Sequence, residues 1–301
     1  MSRTRPDPDK LRLIAAVARL GSLSKAALHE RASQPYISKV IAQFEQEFGA
    51  RLFQRTGRGM LLTEFGRGVV PRIDAWLSEG DAMMDQFSAM AGTPAGDVRL
   101  AMLPSLSSPL MGALVSTLRE GHPGIRLHLA EGYADQLEAW LQNGEADLAL
   151  TLRFDGVPHR HGLHLVDTDV YLCARAGDPV TAAPTVAFAA LERLPLILHR
   201  KAGVLHRHLQ QLAEAKGLTL DVQLEVSSLG IQRDLAAAGS GYLLLNHSAV
   251  AQDVASGRLQ ASRVVQPELV QHIDLHFSPR GPVSGATRVV AQLIQQLVRA
   301  P

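Results

Sequence analysis

Residues 33–49 read Ser33-Gln34-Pro35-Tyr36-Ile37-Ser38-Lys39-Val40-Ile41-Ala42-Gln43-Phe44-Glu45-Gln46-Glu47-Phe48-Gly49. Ser33 is a residue type that caps helix N-termini. Pro35 suits a first helical turn, where its missing N–H costs nothing. Ile37, Ile41, Phe44 and Phe48 recur at i, i+4, i+7 and i+11, which predicts a helix with a buried stripe ended by Gly49. Gln34, Ser38, Lys39 and Gln43 lie off that stripe and offer hydrogen-bonding groups without negative charge. Such a face suits the base edges and phosphates of a major groove. It is equally the composition of a plain solvated surface, so the flanking sequence has to decide.

Upstream, Leu13, Ile14, Val17 and Leu20 give an apolar stripe to a helix that Asp9 is expected to cap and Gly21 to stop. Ser24 is the expected cap of a short second helix, in which Ala26 and Ala27 permit close helix–helix approach. Glu30-Arg31-Ala32 is the turn before Ser33. Downstream, Arg51-Leu52-Phe53-Gln54-Arg55-Thr56-Gly57-Arg58-Gly59-Met60-Leu61-Leu62-Thr63 reads as strand, glycine-rich turn and strand, with Arg55 and Arg58 at the tip. A basic hairpin after two such helices is a wing, suited to phosphates or a minor groove.

Charge is distributed accordingly. The chain of 301 residues is nearly neutral, at +1, yet residues 1–72 hold 13 Lys and Arg against 6 Asp and Glu, a net +7, and the remainder carries −6. A basic head on an acidic body points to a polyanion-binding module joined to something else. Residues 64–91 read as one long helix. Val69, Ile73, Trp76, Gly80, Met83, Phe87 and Met90 step by fours and threes along it, a heptad seam that favours pairing with a second chain. Pro71 falls in its first turns. After the break at Gly92-Thr93-Pro94-Ala95-Gly96 the chain alternates strand and helix. Strands are expected at 98–103, 125–130, 147–152, 164–174, 195–198, 221–226, 241–245 and 269–277, with helices near 108–121, 134–143, 203–216, 228–238 and 284–299. That alternation predicts parallel sheets covered by helices on both faces.

The run Gly21-Ser22-Leu23-Ser24-Lys25-Ala26-Ala27, then Ser33 to Lys39, Phe44-Glu45 to Gly49, Arg51 to Arg55, and Leu62-Thr63-Glu64-Phe65-Gly66 resembles the head of LysR-type transcriptional regulators. The likeness covers roughly residues 9–70 without a gap. It departs at Glu30-Arg31-Ala32, where the family usually has Leu-x-Val; Leu28 is the expected substitute for the missing buried leucine. Lys39 stands where Arg is commoner, a point charge in place of a planar fork. Glu131-Gly132-Tyr133 with Leu137-x-x-Trp140-Leu141-x-x-Gly144 is similar to a subgroup related to nitrogen assimilation control regulators.

The resemblance implies an N-terminal all-α winged helix-turn-helix (1–63), a long linker helix that pairs chains (64–92), and an α/β two-lobed, periplasmic-binding-protein-like effector domain (93–301). Lobe I would comprise 93–167 and 271–301, and lobe II 168–270. It implies a sequence-specific regulator on double-stranded DNA, dimeric and assembling to tetramers, with RNA polymerase as a further partner and a cytoplasmic location. The residues matching the DNA-reading set are Ser33, Gln34, Pro35, Tyr36, Ser38, Lys39, Gln43, Arg55 and Arg58. The alternative is a solute-binding protein or enzyme of the same two-lobed fold carrying a helical head.

Ligands of open α/β sheets sit at the carboxyl ends of strands, beside helix N-termini. Those ends carry Ser105 and Ser107, Tyr133, His199 and Arg200, Ser227, and Asn246. Hydroxyls, amide donors and Arg200 suit a small anionic effector such as a carboxylate; Glu131 is an opposing charge. Ser107 and Ser108 are also simply good helix caps.

Other chemistry is poorly supplied. Hydrophobic residues at 46% and charged residues at 20% exclude wholesale disorder. No apolar run approaches the ~20 residues of a membrane span, and the polar first nine residues lack the apolar segment of an export signal. The lone Cys173 excludes an internal disulfide and a thiolate zinc cluster, and fits a reducing compartment. His159, His161 and His164 cluster, but no carboxylate or thiolate is fixed nearby in the manner of a structural zinc site, and His206 and His208, two apart, do not share a helix face. Neither a metal nor another cofactor is expected. No nucleophile elbow, phosphate loop or dinucleotide fingerprint follows a strand, and nothing orients a base toward Ser105, so no enzyme activity is expected.

Overall fold

The computed structural model describes residues 7–57, 59–90, 94–108, 110–154, 162–199, 203–280 and 282–299. The chain divides into two units, 1–91 with 280–284 and 92–279 with 285–301. The first contains α1 (Pro8–Leu20), α2 (Leu23–His29), α3 (Gln34–Phe48), β1 (Phe53–Thr56), β2 (Gly59–Leu62) and α4 (Glu64–Met90).

Ile14, Val17, Ala26, Ile37 and Leu52 are fully buried and form the centre of the head's core. Each large aliphatic side chain of this kind contributes ~1.5–3 kcal/mol by leaving water. The α1 cap is Asp7, whose carboxylate accepts from Asp9 N–H, with Pro8 in the first turn; the expected cap at Asp9 is two residues too late. Ser22, rather than Ser24, caps α2. In both cases the earlier polar residue is the one with extended backbone, so its side chain turns back on the first turn. Ser33 caps α3 as expected, accepting from Tyr36 N–H at 3.3 Å. The buried stripe of α3 is Ile37, Val40 and Ile41, with Phe44 half-buried. Phe48 is 58% exposed and leans on Phe44, because the core ends before the last helical turn. Leu28, at 85% exposure, does not fill the place of the missing leucine; Ala32 packs there against the core.

The wing is tied to the helices. The Glu45 carboxylate accepts from Leu52 N–H at 2.7 Å and Phe53 N–H at 3.2 Å. Met60 N–H donates to the carbonyl of Gly21, and Gly59, at φ +126°, lies so close that a side chain would strike that carbonyl oxygen at 2.5 Å. Thr63 begins α4, donating to Arg51 O and accepting from Gly66 N–H. Along α4, Val70 and Ile73 are buried in the head's own core, with Val69 and Leu77 packed against it. Trp76, Met83 and Phe87 are 45%, 49% and 55% exposed, so the heptad seam divides between the head core and an exposed stripe. The Met90 side chain lies outside the described residues.

The second unit begins with β3 (Gly96–Met102), α5 (Pro104–Ser107), α6 (Leu110–Gly121), β4 (Ile125–Glu131), α7 (Ala134–Asn143) and β5 (Leu148–Arg153). Then come β6 (Gly162–Arg175), β7 (Thr185–Ala187), β8 (Pro195–Leu198), α8 (Val204–Ala215), β9 (Asp221–Glu225), α9 (Leu229–Ala237) and β10 (Leu243–Asn246). It closes with α10 (His247–Ala255), β11 (Leu259–Val265), β12 (Val270–Phe277) and α11 (Gly285–Arg299). The main sheet runs β4-β3-β5-β12-β6-β11-β7, with β10 also on β6, and β8-β9 form a smaller sheet. Alternation on β3 sends Val98, Leu100 and Met102 toward α6 and α11, and Ala101 toward α7.

The sheets are mixed rather than parallel throughout. β3, β4 and β5 are parallel, but β12 is antiparallel to β5 and β6, and β10 and β11 are antiparallel to β6. The reason is connectivity. β6 carries the chain from one lobe into the other and β12 brings it back, so the two must run in opposite directions side by side. The sequence patterns do not indicate β7, α10 or β11.

Candidate DNA-binding surface and effector cleft

On the head, Ser33, Gln34, Pro35, Tyr36, Lys39 and Gln43 are exposed and Ser38 is half-buried. They occupy the side of α3 opposite Ile37, Val40 and Ile41. The Ser24 hydroxyl donates to Gln34 Oε1 at 3.2 Å, tying the exposed Gln34 side chain to α2. Arg55, on β1, is exposed beside the wing's turn; Arg58 lies outside the described residues. Because Glu45 locks the start of the wing to α3, the polar face and the basic hairpin are held as one rigid surface. What this surface offers is donors and positive charge, the set that binds phosphates and reads base edges.

In the second unit, the residues that follow β3, β4, β9 and β10, with His199 just after β8, converge between the lobes around Tyr133. The Tyr133 hydroxyl donates to the carbonyl of Ser227, and its ring stacks on the His199 imidazole with centroids 3.7 Å apart. Asn246 Nδ2 donates to the carbonyl of Ser105 at 3.4 Å, a second link between the lobes.

Tyr133 stands between two cavities. One, of about 330 Å³, is lined by Ser107, Ser108, Glu131, Tyr133, Ser227, Ser228 and Arg233, among others. The other, of about 440 Å³, is lined by Ser105, Tyr133, Asp135, Glu138, His199, His206, Asn246 and Gln271 together with an apolar wall that includes Leu152, Phe154, Leu198 and Leu244.

The candidates Ser105, Tyr133, His199 and Asn246 thus meet at the larger cavity, and Ser107, Tyr133 and Ser227 at the smaller. Arg200 lies outside the described residues. Ser107 donates to Pro104 O at 2.9 Å instead of capping a helix, and Ser108 closes the short α5. Several lining groups escape a reading of the sequence. Arg233 reaches the smaller cavity while bonded to Ala249 O and paired with Asp253, both at 3.3 Å. His206 Nδ1 and Gln271 Oε1 are buried without a hydrogen-bond partner. Asp135 and Glu138 add acidic groups that the loop-start pattern does not reveal. None of these follows a strand end directly, so strand-end logic passes over them. Of the histidine cluster, His159 and His161 lie outside the described residues, while His164 is on β6.

A winged helix-turn-helix joined to a two-lobed α/β unit with a cleft between its lobes defines a ligand-responsive DNA-binding regulator. The model described as "Bacterial regulatory helix-turn-helix protein, lysR family" matches residues 8–67, and that described as "LysR substrate binding domain" matches residues 91–299. The chain belongs to the LysR family of transcriptional regulators. It is 26% identical over 297 residues to the HTH-type transcriptional regulator BbuR of Bordetella bronchiseptica, covering 98% of this chain and 90% of that one. It is 24% identical over 285 residues to the transcriptional dual regulator OxyR of Escherichia coli, covering 95% and 93%. Full-length OxyR from Pseudomonas aeruginosa, a cysteine variant, superposes with a TM-score of 0.73 at 21% identity over 99% and 96% of the two chains. The chain is accordingly a DNA-binding transcriptional regulator with a small-molecule effector domain. No helix among the described residues is long and apolar enough to cross a membrane.

Proposed function

We propose that Ser33, Gln34, Pro35, Tyr36, Ser38, Lys39 and Gln43 read a major groove while Arg55 and Arg58 hold phosphates beside it. In this reading residues 1–63 form the DNA-binding unit, 64–92 pair two chains, and 93–301 sense the effector. The exposed Trp76, Met83 and Phe87 stripe on α4 supports the pairing. Dimers joining into tetramers, a contact with RNA polymerase and a cytoplasmic location belong to the same reading, and no catalytic step does.

The effector reading rests on one observation: Tyr133 ties the two lobes together between two cavities. A ligand that enters displaces or reinforces that tie and so changes the lobe angle. Ser107, Ser108 and Arg233 suit a carboxylate, and the apolar wall of the larger cavity suits its hydrocarbon part. Thermal-shift screening of small aliphatic and aromatic carboxylates tests this. A true effector stabilises the fold by RT ln(1 + [L]/Kd), about 2.7 kcal/mol at a hundredfold excess over Kd. Ser105→Ala and Arg233→Ala both retaining the full shift would move the ligand elsewhere.

Several relatives bear the name of hydrogen peroxide-inducible genes activator. That inducer does not suit this chain. Its single cysteine, Cys173, is fully buried on β6, and burial pushes its thiol up to about 12. A redox-sensing thiol needs the opposite environment, exposed and electropositive.

A further inference from the structure

β6 and β12 lie side by side with Asp274 opposite His164 and His272 opposite Asp167. His164 and Asp167 are three residues apart, which on a regular strand puts them on opposite faces. Here the register shifts between Ile273 and Asp274, and the bulge brings both to one face. Asp167 Oδ1 lies 2.6 Å from His272 Nδ1 and 3.2 Å from His164 Nε2. The three candidate ligand atoms all fall within 4.8 Å of one another. The other nitrogen of His164, Nδ1, is 3.1 Å from the carboxylate of Asp274, which is buried and bound by Arg153 Nε at 2.8 Å.

We propose that His164 Nε2, His272 Nδ1 and Asp167 form a binding site for a divalent transition-metal ion of the zinc class. Two imidazoles and one carboxylate are the ligands such an ion takes, whereas calcium and magnesium prefer all-oxygen sites. A buried carboxylate on the far nitrogen of a ligating histidine fixes its tautomer and ring, and Asp274, braced by Arg153, stands in that position. Asp167 and His164 are about half exposed, so a water or effector group has access to a remaining coordination position. Sequence spacing hides the site, because its second imidazole, His272, comes from strand pairing and because a regular strand would put His164 and Asp167 on opposite faces. β6 and β12 are also the two strands that join the lobes. A metal clamped across them fastens the hinge on which lobe motion turns.

The test is titration of the chelator-treated full-length protein with Co²⁺, followed by absorption, and with Zn²⁺, followed by calorimetry. The expected result is one metal per chain at this site, with Kd raised at least tenfold in His164→Ala, His272→Ala and Asp167→Asn. Asp167 is surface-exposed, so the last variant remains informative if a histidine variant misfolds by circular dichroism. His128→Gln, on the exposed edge strand β4, is the control and should bind as wild type. No binding by wild type at 100-fold excess metal, or unchanged affinity and Co²⁺ spectrum in Asp167→Asn and His272→Ala, would overturn the proposal.

Discussion

The Tyr133 ring stacks on His199 at 3.7 Å while its hydroxyl reaches across the cleft to the Ser227 carbonyl. Tyr133→Phe keeps the stack and removes the bond. A neutral hydrogen bond of this kind contributes ~0.5–1.5 kcal/mol net, so the variant should melt slightly lower and scatter X-rays as a more open body in the absence of effector. Identical melting and scattering curves would show that this bond does not hold the lobes.

Cys173 should be chemically silent. With its thiol near 12, the thiolate fraction at pH 8 is minute, and the sulfur has no solvent contact. A thiol-reactive dye should label the native protein only at the rate of unfolding and label one thiol per chain in denaturant. Cys173→Ala should regulate normally in cells challenged with peroxide. Rapid native labelling would place the thiol in a more open environment than its burial describes.

Leu28 and Ile37 make a contrast within the head. Leu28 is 85% exposed and Ile37 fully buried. Leu28→Gln should change stability by no more than about 0.5 kcal/mol, whereas Ile37→Ala should cost ~2–5 kcal/mol through reduced burial and a cavity. Urea unfolding of the two variants checks both numbers. A large destabilisation by Leu28→Gln would mean that a partner surface covers it.

Trp76 and Phe87 test the assembly. Placing Asp at Trp76 sets a charge into the proposed contact between chains, which is costly without a counter-ion. Sedimentation should show Trp76→Asp shifted toward monomer. A fully dimeric variant would leave the effector unit as the main contact.

Much of this was legible in the sequence because local rules and tertiary demands agree. The α3 start at Ser33 and Pro35, the Gly21 and Gly49 stops, β8 and α7 all lie where cap and periodicity signals put them. Asp9 and Ser24 fail as caps because an equally good residue, Asp7 or Ser22, precedes each, and backbone direction chooses between them. The heptad pattern could not tell that Val69 and Ile73 serve the head's own core while Trp76 and Phe87 stay exposed; periodicity reports a face, not what covers it. The stretch Glu131-Gly132-Tyr133 has a packing cause: a side chain at Gly132 would strike the Trp140 ring at 2.6 Å. At the cleft, strand-end loops were legible, but Arg233, His206 and Gln271 come from helix interiors and a neighbouring strand, which only the fold assembles.

Selection of binding sites from a randomised duplex library, with wild type and a Ser38→Ala/Lys39→Ala double variant in parallel, tests the DNA-reading account most directly. Wild type should enrich a motif. The variant should bind that motif more weakly, by ~1–3 kcal/mol for each good base pairing it no longer makes, while keeping its non-specific affinity. Arg55→Ala should instead weaken binding to every sequence and reduce the salt slope by about one. Enrichment of the same motif at the same affinity by the Ser38/Lys39 variant would contradict the assignment of α3 as the helix that reads DNA.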